Sequence, residues 1–217
     1  MMDLTNRLLQ MQLLSAIGTV AFAFSGYLIG VRKRLDLLGI VIVSLLTAIG
    51  GGMIRDVLIS RIPAVFFDYT NLGIITATLF VSWLAGLHRR EGSTVTRLFI
   101  LADSLGLVAF SLTGAEAGLT LGLNAFGVVL LGFVTAVGGG VVRDMMVNDI
   151  PFILHQDFYG TVSILVASGL FLMDWAGWVS PLSLQLLLLA GLALRLLAHW
   201  RELSLPKIER KSDKGQS

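Results

Sequence analysis

Long apolar stretches separated by short polar ones govern this chain. Runs near residues 9–30, 37–60, 71–87, 97–119, 124–147, 159–175 and 179–199 are apolar nearly throughout. A hydrocarbon core of roughly 30 Å needs about 20 helical residues, so run length predicts seven membrane-spanning helices. A lipid-facing backbone has to satisfy its own hydrogen bonds, and the period-2 alternation of a membrane barrel is absent. The third and sixth runs are short, and the second and fifth each contain three consecutive glycines.

The pattern is also written twice. Residues 18–63 and 106–151 align without a gap at an offset of 88, with 18 identities in 46 positions; a composition this biased gives on the order of one in ten by chance. Both copies carry GGGxxRD, as Gly50-Gly51-Gly52 with Arg55-Asp56 and Gly138-Gly139-Gly140 with Arg143-Asp144, ahead of Ile62-Pro63 and Ile150-Pro151. Because the offset contains three spans, an odd number, equivalent residues enter the membrane from opposite faces. The expected architecture is an all-α membrane protein of seven transmembrane helices: two inverted three-helix repeats (residues 9–90 and 97–178), a seventh helix (179–200) and a disordered cytoplasmic tail (201–217). Inverted repeats with interrupted helices are a recurrent plan for transporters and some channels, with the permeant near the midplane.

Composition agrees with a lipid solvent. The 217 residues are 55% hydrophobic and 14% charged, with mean hydropathy +0.84, too few ionisable side chains to cover a soluble domain of this size. The first run resembles a cleaved signal peptide at Ala21-Phe22-Ala23, but it is too long, starts with no basic group stronger than Arg7, and is the repeat partner of the fourth run. With no Cys there is no disulfide and no thiolate metal site. Basic residues gather after run one (Arg32, Lys33, Arg34), between runs three and four (Arg89, Arg90, Arg97) and after run seven (Arg201, Lys207, Arg210, Lys211, Lys214). All three clusters share one side if the N-terminus is outside and the C-terminus cytoplasmic. The pI near 9.2 is therefore a positive-inside signature, and no nucleic-acid partner is expected.

The glycine triplets admit two readings. They let two helices touch closely, as small residues do in membrane bundles, or they kink or unwind the helix and free carbonyl oxygens, the ligands a dehydrating monovalent cation prefers. Two triplets at matching positions, each followed by an ionisable pair, favour the second. Arginine and aspartate within apolar runs need partners. Neighbours in sequence point about 100° apart on a helix, so the expected pairs run across the repeats, Asp56 with Arg143 and Asp144 with Arg55. The fourth run adds Asp103 and Glu116 where the first has Ser15 and Leu28, with Ser104, Ser111 and Thr113 nearby. Two acids without a base in that helix suggest cation attraction, Asp103 as a path residue and Glu116 as a path residue or a solvated end. Ser44, Thr47 and Thr135 either line a path or bond to the carbonyl one turn back. His88, His155 and His199 lack ligand spacing, and Trp175, Trp178 and Trp200 fit interfacial belts. No catalytic constellation, metal motif or cofactor motif is present.

At the paired GGGxxRD motifs the chain resembles the TRIC family, the trimeric intracellular cation channels, in its prokaryotic branch. That branch overlaps bacterial inner-membrane proteins built from the same duplicated domain and labelled a glycine-transporter domain. The resemblance covers about residues 9 to 199. It implies a multi-pass protein of the bacterial inner membrane, a homotrimer, and one path per protomer for potassium or sodium. Animal members carry a Lys-Glu pair implicated in phosphoinositide binding where this chain has Arg143-Asp144, so an anionic membrane lipid is a possible partner. The expected path residues are Gly50, Gly51, Gly52, Asp56, Gly138, Gly139, Gly140, Asp144, Asp103 and Ser104, with Arg55 and Arg143 gating or binding lipid. A secondary transporter of glycine or another small zwitterion is the alternative, since helix-end dipoles and an Arg-Asp pair complement a carboxylate and an ammonium.

Overall fold

The computed structural model describes residues 4–89, 92–154 and 158–201. The expected tail beyond residue 201, together with Arg90 and His155, lies outside them. Each apolar run is one helix: α1 (Leu4–Arg32), α2 (Leu37–Leu58), α3 (Thr70–Leu84), α4 (Ser93–Thr120), α5 (Ala125–Met146), α6 (Tyr159–Trp175) and α7 (Pro181–Trp200). Among the described residues there is no strand. Five helices are long and apolar enough to cross a membrane. The others, α3 and α6, have 15 and 17 residues, about 23 and 26 Å at ~1.5 Å per residue.

The two copies fold by the same local chemistry. Asp36 and Asn124, equivalent residues, cap α2 and α5 by accepting from the Gly39 and Gly127 amides at 2.7 and 2.9 Å, which satisfies one of the orphan amides at each helix start. Left-handed residues also recur in register, Arg34 with Gly122 and Ser60 with Asn148. They turn the chain sharply after each of the first two helices of a repeat. Helix α7 starts on a capping box between Ser180 and Ser183, with Pro181 in its first turn.

Contacts between the copies are reciprocal. A Cβ on Gly51 of α2 would overlap the Thr135 carbonyl oxygen on α5, and one on Gly139 would overlap the Thr47 carbonyl. Likewise Phe22 of α1 fills the space over Gly106 of α4, and Phe110 lies 3.0 Å from a Cβ placed on Gly18. In both sets the residue number rises on one helix as it falls on the other, so α2 runs antiparallel to α5 and α1 to α4, as an inverted duplication requires. The Phe22 and Phe110 rings pack 5.2 Å apart. Within each copy, Gly26 and Gly114 admit α2 and α5 against α1 and α4, where a Cβ would press on Ser44 and Thr135. Outward-facing Leu, Phe and Trp side chains, Trp175, Trp178 and Trp200 among them, are exposed, as on a lipid-facing surface.

The helices run unbroken through both triplets. The expected unwinding does not occur, because the glycines are used for close approach: two backbones meet where any side chain would hold them apart. Replacing Gly51 or Gly139 by Val should destabilise the protein by at least the roughly 1–3 kcal/mol typical of overpacking. Gly73→Ala, at a site with nothing within 4 Å, should leave the unfolding midpoint in detergent nearly unchanged. Equal midpoints for all three would contradict the crossing.

Candidate functional site

Beyond the crossing, the ends of α2 and α5 are built alike. Asp56 Oδ2 accepts from the Ala64 amide at 3.1 Å, and Asp144 Oδ2 from the Phe152 amide at 2.7 Å. Each aspartate thus fastens its helix end to the short 3-10 turn after Ile-Pro (Ala64–Phe66 and Phe152–Leu154), which is why RD and IP recur at fixed spacing. The other carboxylate oxygen takes the preceding arginine: Arg55 Nε donates to Asp56 Oδ1 at 2.9 Å and Arg143 Nε to Asp144 Oδ1 at 2.8 Å. The pairs are therefore sequence neighbours, and the expected crosswise pairs, Asp56 with Arg143 and Asp144 with Arg55, do not form. With α2 and α5 antiparallel, Arg55 and Arg143 lie four residues, ~6 Å, past the glycine crossing in opposite directions. A long guanidinium stem also folds back onto an adjacent carboxylate that the loop has turned toward it.

Past this shared motif the copies diverge. Arg143 is 0% exposed. Its Nη1 donates to Ser25 Oγ on α1 at 2.6 Å and to Asp103 Oδ1 on α4, and its guanidinium carbon lies 4.8 Å from the Phe99 ring centroid. Asp103, 1% exposed, is thus compensated by a base from another helix, which the composition of α4 alone concealed. Arg195 of α7 joins the cluster: it is 2% exposed, stacked over Tyr159 and Phe152 at 5.0 and 5.7 Å. Two guanidiniums and two carboxylates, Asp103 and Asp144, leave the buried group formally neutral, as buried charge demands. Among the described residues, four atoms in it have no hydrogen-bond partner: Asp103 Oδ2, Arg143 Nη2, Tyr159 OH and Arg195 Nε.

The first copy has the same backbone and none of this closure. Ser15 stands where Asp103 does and Asn71 where Tyr159 does. Among the described residues Arg55 pairs with Asp56 alone, and its side chain stays 21% exposed. It lines a cleft of about 40 Å³ with Ser15, Thr19, Gly52, Asp56 and Asn71, enough for about one or two waters. The arrangement therefore joins a small polar notch on one side of the glycine crossing to a sealed charge cluster on the other.

Of the expected path residues, Gly50, Gly51, Gly138 and Gly139 form the crossing. Gly52 lines the notch, and a Cβ on Gly140 would lie 3.4 Å from Tyr159 OH and 3.7 Å from Arg143 Nη2. Their helices being unbroken, the triplets present no unwound backbone. Ser104 is buried next to Asp103 in sequence and takes no part in the hydrogen bonds of the cluster. Ser44, Thr47 and Thr135 donate to the carbonyls of Ile40, Val43 and Leu131, one turn back. Glu116 is neither an uncompensated acid nor a solvated end: Arg7 Nε reaches it at 2.6 Å and Arg7 Nη2 reaches Asp174 at 2.8 Å, which clamps α1, α4 and α6 together. Ser25, Phe99, Tyr159 and Arg195 were not singled out by sequence. Only Arg195 had a signal, a lone charge inside an apolar run, and α7 lies outside the repeat. Among the described residues no group of acids and histidines could hold a metal ion.

A bundle of this duplicated kind defines a class of multi-pass membrane protein, and comparison places the chain within it. The family profile described as Glycine transporter matches twice, at residues 12–89 and 100–175, and the chain belongs to that family. It is 38% identical over 165 residues to a UPF0126 membrane protein of Deinococcus radiodurans, covering 74% of each chain. Among solved structures, a TRIC cation channel superposes with TM-score 0.80 at 30% identity, covering 93% of this chain and 98% of the other. The trimeric intracellular cation channel orthologue of Rhodobacter sphaeroides gives TM-score 0.80 at 29% identity, covering 89% and 98%.

Removing Arg143 leaves Asp103 and Asp144 buried without their base. Arg143→Ala should cost about 3–5 kcal/mol, the range for breaking a buried pair, and Arg143→Met with Asp103→Leu should recover much of it. Thermal unfolding in detergent checks both; a double variant no more stable than Arg143→Ala would contradict the pairing.

Proposed function

We propose that this chain is a monovalent-cation channel of the inner membrane, potassium favoured, with one path per protomer of a homotrimer. The path runs between the two inverted repeats, past the crossing of α2 and α5, with the N-terminus outside and the C-terminus cytoplasmic. The observation that carries this reading is the asymmetry at the crossing. Pseudo-equivalent sites sit on opposite sides of one backbone contact; one is an open polar notch beside Asp56, the other is filled by Arg143 held on Asp103, Asp144 and Ser25. The resemblance to solved TRIC cation channels over nearly their whole length supports it.

In this reading Arg143 is the gate. Seated on Asp103, the guanidinium fills the inner half of the path and repels cations. Displaced, it uncovers two carboxylates, Asp103 and Asp144, that draw cations in. The outer half, with Asp56 and the hydroxyls of Ser15 and Thr19, stays wet throughout. Moving one charge across the membrane potential is worth about 2.3 kcal/mol per 100 mV, so a displaceable buried guanidinium confers voltage dependence.

A transporter of a small zwitterion remains the second reading, favoured by the family description and by a guanidinium and a carboxylate facing the same small notch. Planar-bilayer recording in asymmetric KCl separates the two. Unitary currents reversing near the potassium potential are expected, with Arg143→Gln raising open probability several-fold. Silent bilayers, together with saturable glycine uptake into liposomes, would replace the channel by the transporter.

A further inference from the structure

A second feature lies away from the path. Where α1 ends, the short helical turn Leu87–Arg89 and the first turns of α4 enclose a cleft of about 470 Å³ lined by Val31, Arg32, Arg34, His88, Val95 and Thr96. That volume falls within the roughly 300–1,000 Å³ of small-molecule sites. Among the described residues no carboxylate lines it. We propose that this cleft binds a phosphate-bearing anion, with Arg32 and Arg34 as its principal ligands.

Four observations converge on it. Arg32 and Arg34 form no ion pair among the described residues, whereas Lys33 between them is engaged by Asp149 at 2.6 Å. An acid is therefore within reach of this loop, and it is spent on the lysine, while both arginines line the cleft. Arginine is the side chain suited to forked, bidentate recognition of phosphate. Next, Arg89 Nε donates to His88 Nε2 at 3.2 Å, which holds a third guanidinium at the rim through the lining imidazole.

Arg34 is also held at φ 55, where its equivalent in the second copy is Gly122 at φ 67. The turn wants glycine, and the first copy keeps an arginine there despite the left-handed backbone. The equivalents of Arg32 and Arg34 are Thr120 and Gly122, so the duplicated fold itself does not call for this charge. Finally, among the described residues no side chain caps the start of α4 at Gly92, and the first amides of this 28-residue helix lie beside the arginines.

The ligand chemistry is a phosphate ester, and two sources share it: the headgroup of an anionic phospholipid and a free phosphate compound. Val31 and Val95 on the cleft wall, at the end of two membrane-spanning helices, favour the phospholipid, whose glycerol and first methylenes would lie against them. The inference holds whether the chain conducts ions or transports a solute.

The test uses the full chain in detergent, with short-chain phosphatidylglycerol and inorganic phosphate as separate probes, read by native mass spectrometry and by the shift in unfolding temperature. Arg32→Gln with Arg34→Gln should weaken phosphatidylglycerol binding at least tenfold, while Lys33→Gln, which removes a paired neighbour of the same charge, should change it less than threefold. An unchanged unfolding midpoint of the unliganded double variant excludes misfolding. Protection by inorganic phosphate as strong as by the lipid, lost in the same double variant, would support the site and assign the free compound as its source. Lipid and phosphate binding equal in the wild type and the double variant, or equally weakened by Lys33→Gln, would overturn it.

Discussion

Everything in this bundle is hung on the contact between two backbones, α2 at Gly50–Gly52 and α5 at Gly138–Gly140. Gly51 meets the Thr135 carbonyl and Gly139 the Thr47 carbonyl. A side chain at either position would push the helices apart and open the pseudo-symmetry axis. The same closeness sets the positions of Arg55 and Arg143, one turn beyond the crossing on opposite sides, and so determines that each faces a different end of the molecule. Phe22 and Phe110 fill the space beside the crossing from α1 and α4, and the second aromatic pocket is the mirror of the first.

A duplicated scaffold offers two equal sites; function comes from making them unequal. Two substitutions and one added side chain accomplish most of that here. Asp103 in place of Ser15 gives Arg143 a deep carboxylate, Tyr159 in place of Asn71 roofs the site with an aromatic ring, and Arg195 from the unrepeated α7 stacks on that ring. The first copy, lacking all three, leaves Arg55 partly exposed. Helix α7 is therefore more than an appendage: it completes the charge cluster of one copy and has no counterpart for the other.

The fold was legible because it is written in run length and repetition, two signals that do not depend on tertiary contact. Seven apolar runs became seven helices, and the offset of 88 became an antiparallel pairing of α1 with α4 and α2 with α5. Partnership was not legible. Arg55 and Arg143 were assigned across the repeat from the 100° step between neighbours, an argument about Cβ directions. An arginine reaches well beyond its Cβ, and the carboxylate orientation is set by a loop amide eight residues on, at Ala64 or Phe152. The triplets misled for a related reason. Glycine weakens a helix in isolation, yet here the facing helix supplies the contact that the missing side chains forgo, and the helical ladder persists. Arg195 became meaningful only when packing brought α7 against Tyr159.

The absence of native cysteine makes the asymmetry across the crossing directly measurable. Gly52 borders the notch and Gly140 its sealed counterpart. Single Gly52→Cys and Gly140→Cys proteins in liposomes should react very differently with a membrane-impermeant thiol reagent. Gly52→Cys should be labelled readily from one face, while Gly140→Cys should resist labelling from either face until Arg143→Gln is added. Equal labelling of the two single variants, or a Gly140→Cys thiol indifferent to Arg143, would contradict a path closed on one side by that guanidinium.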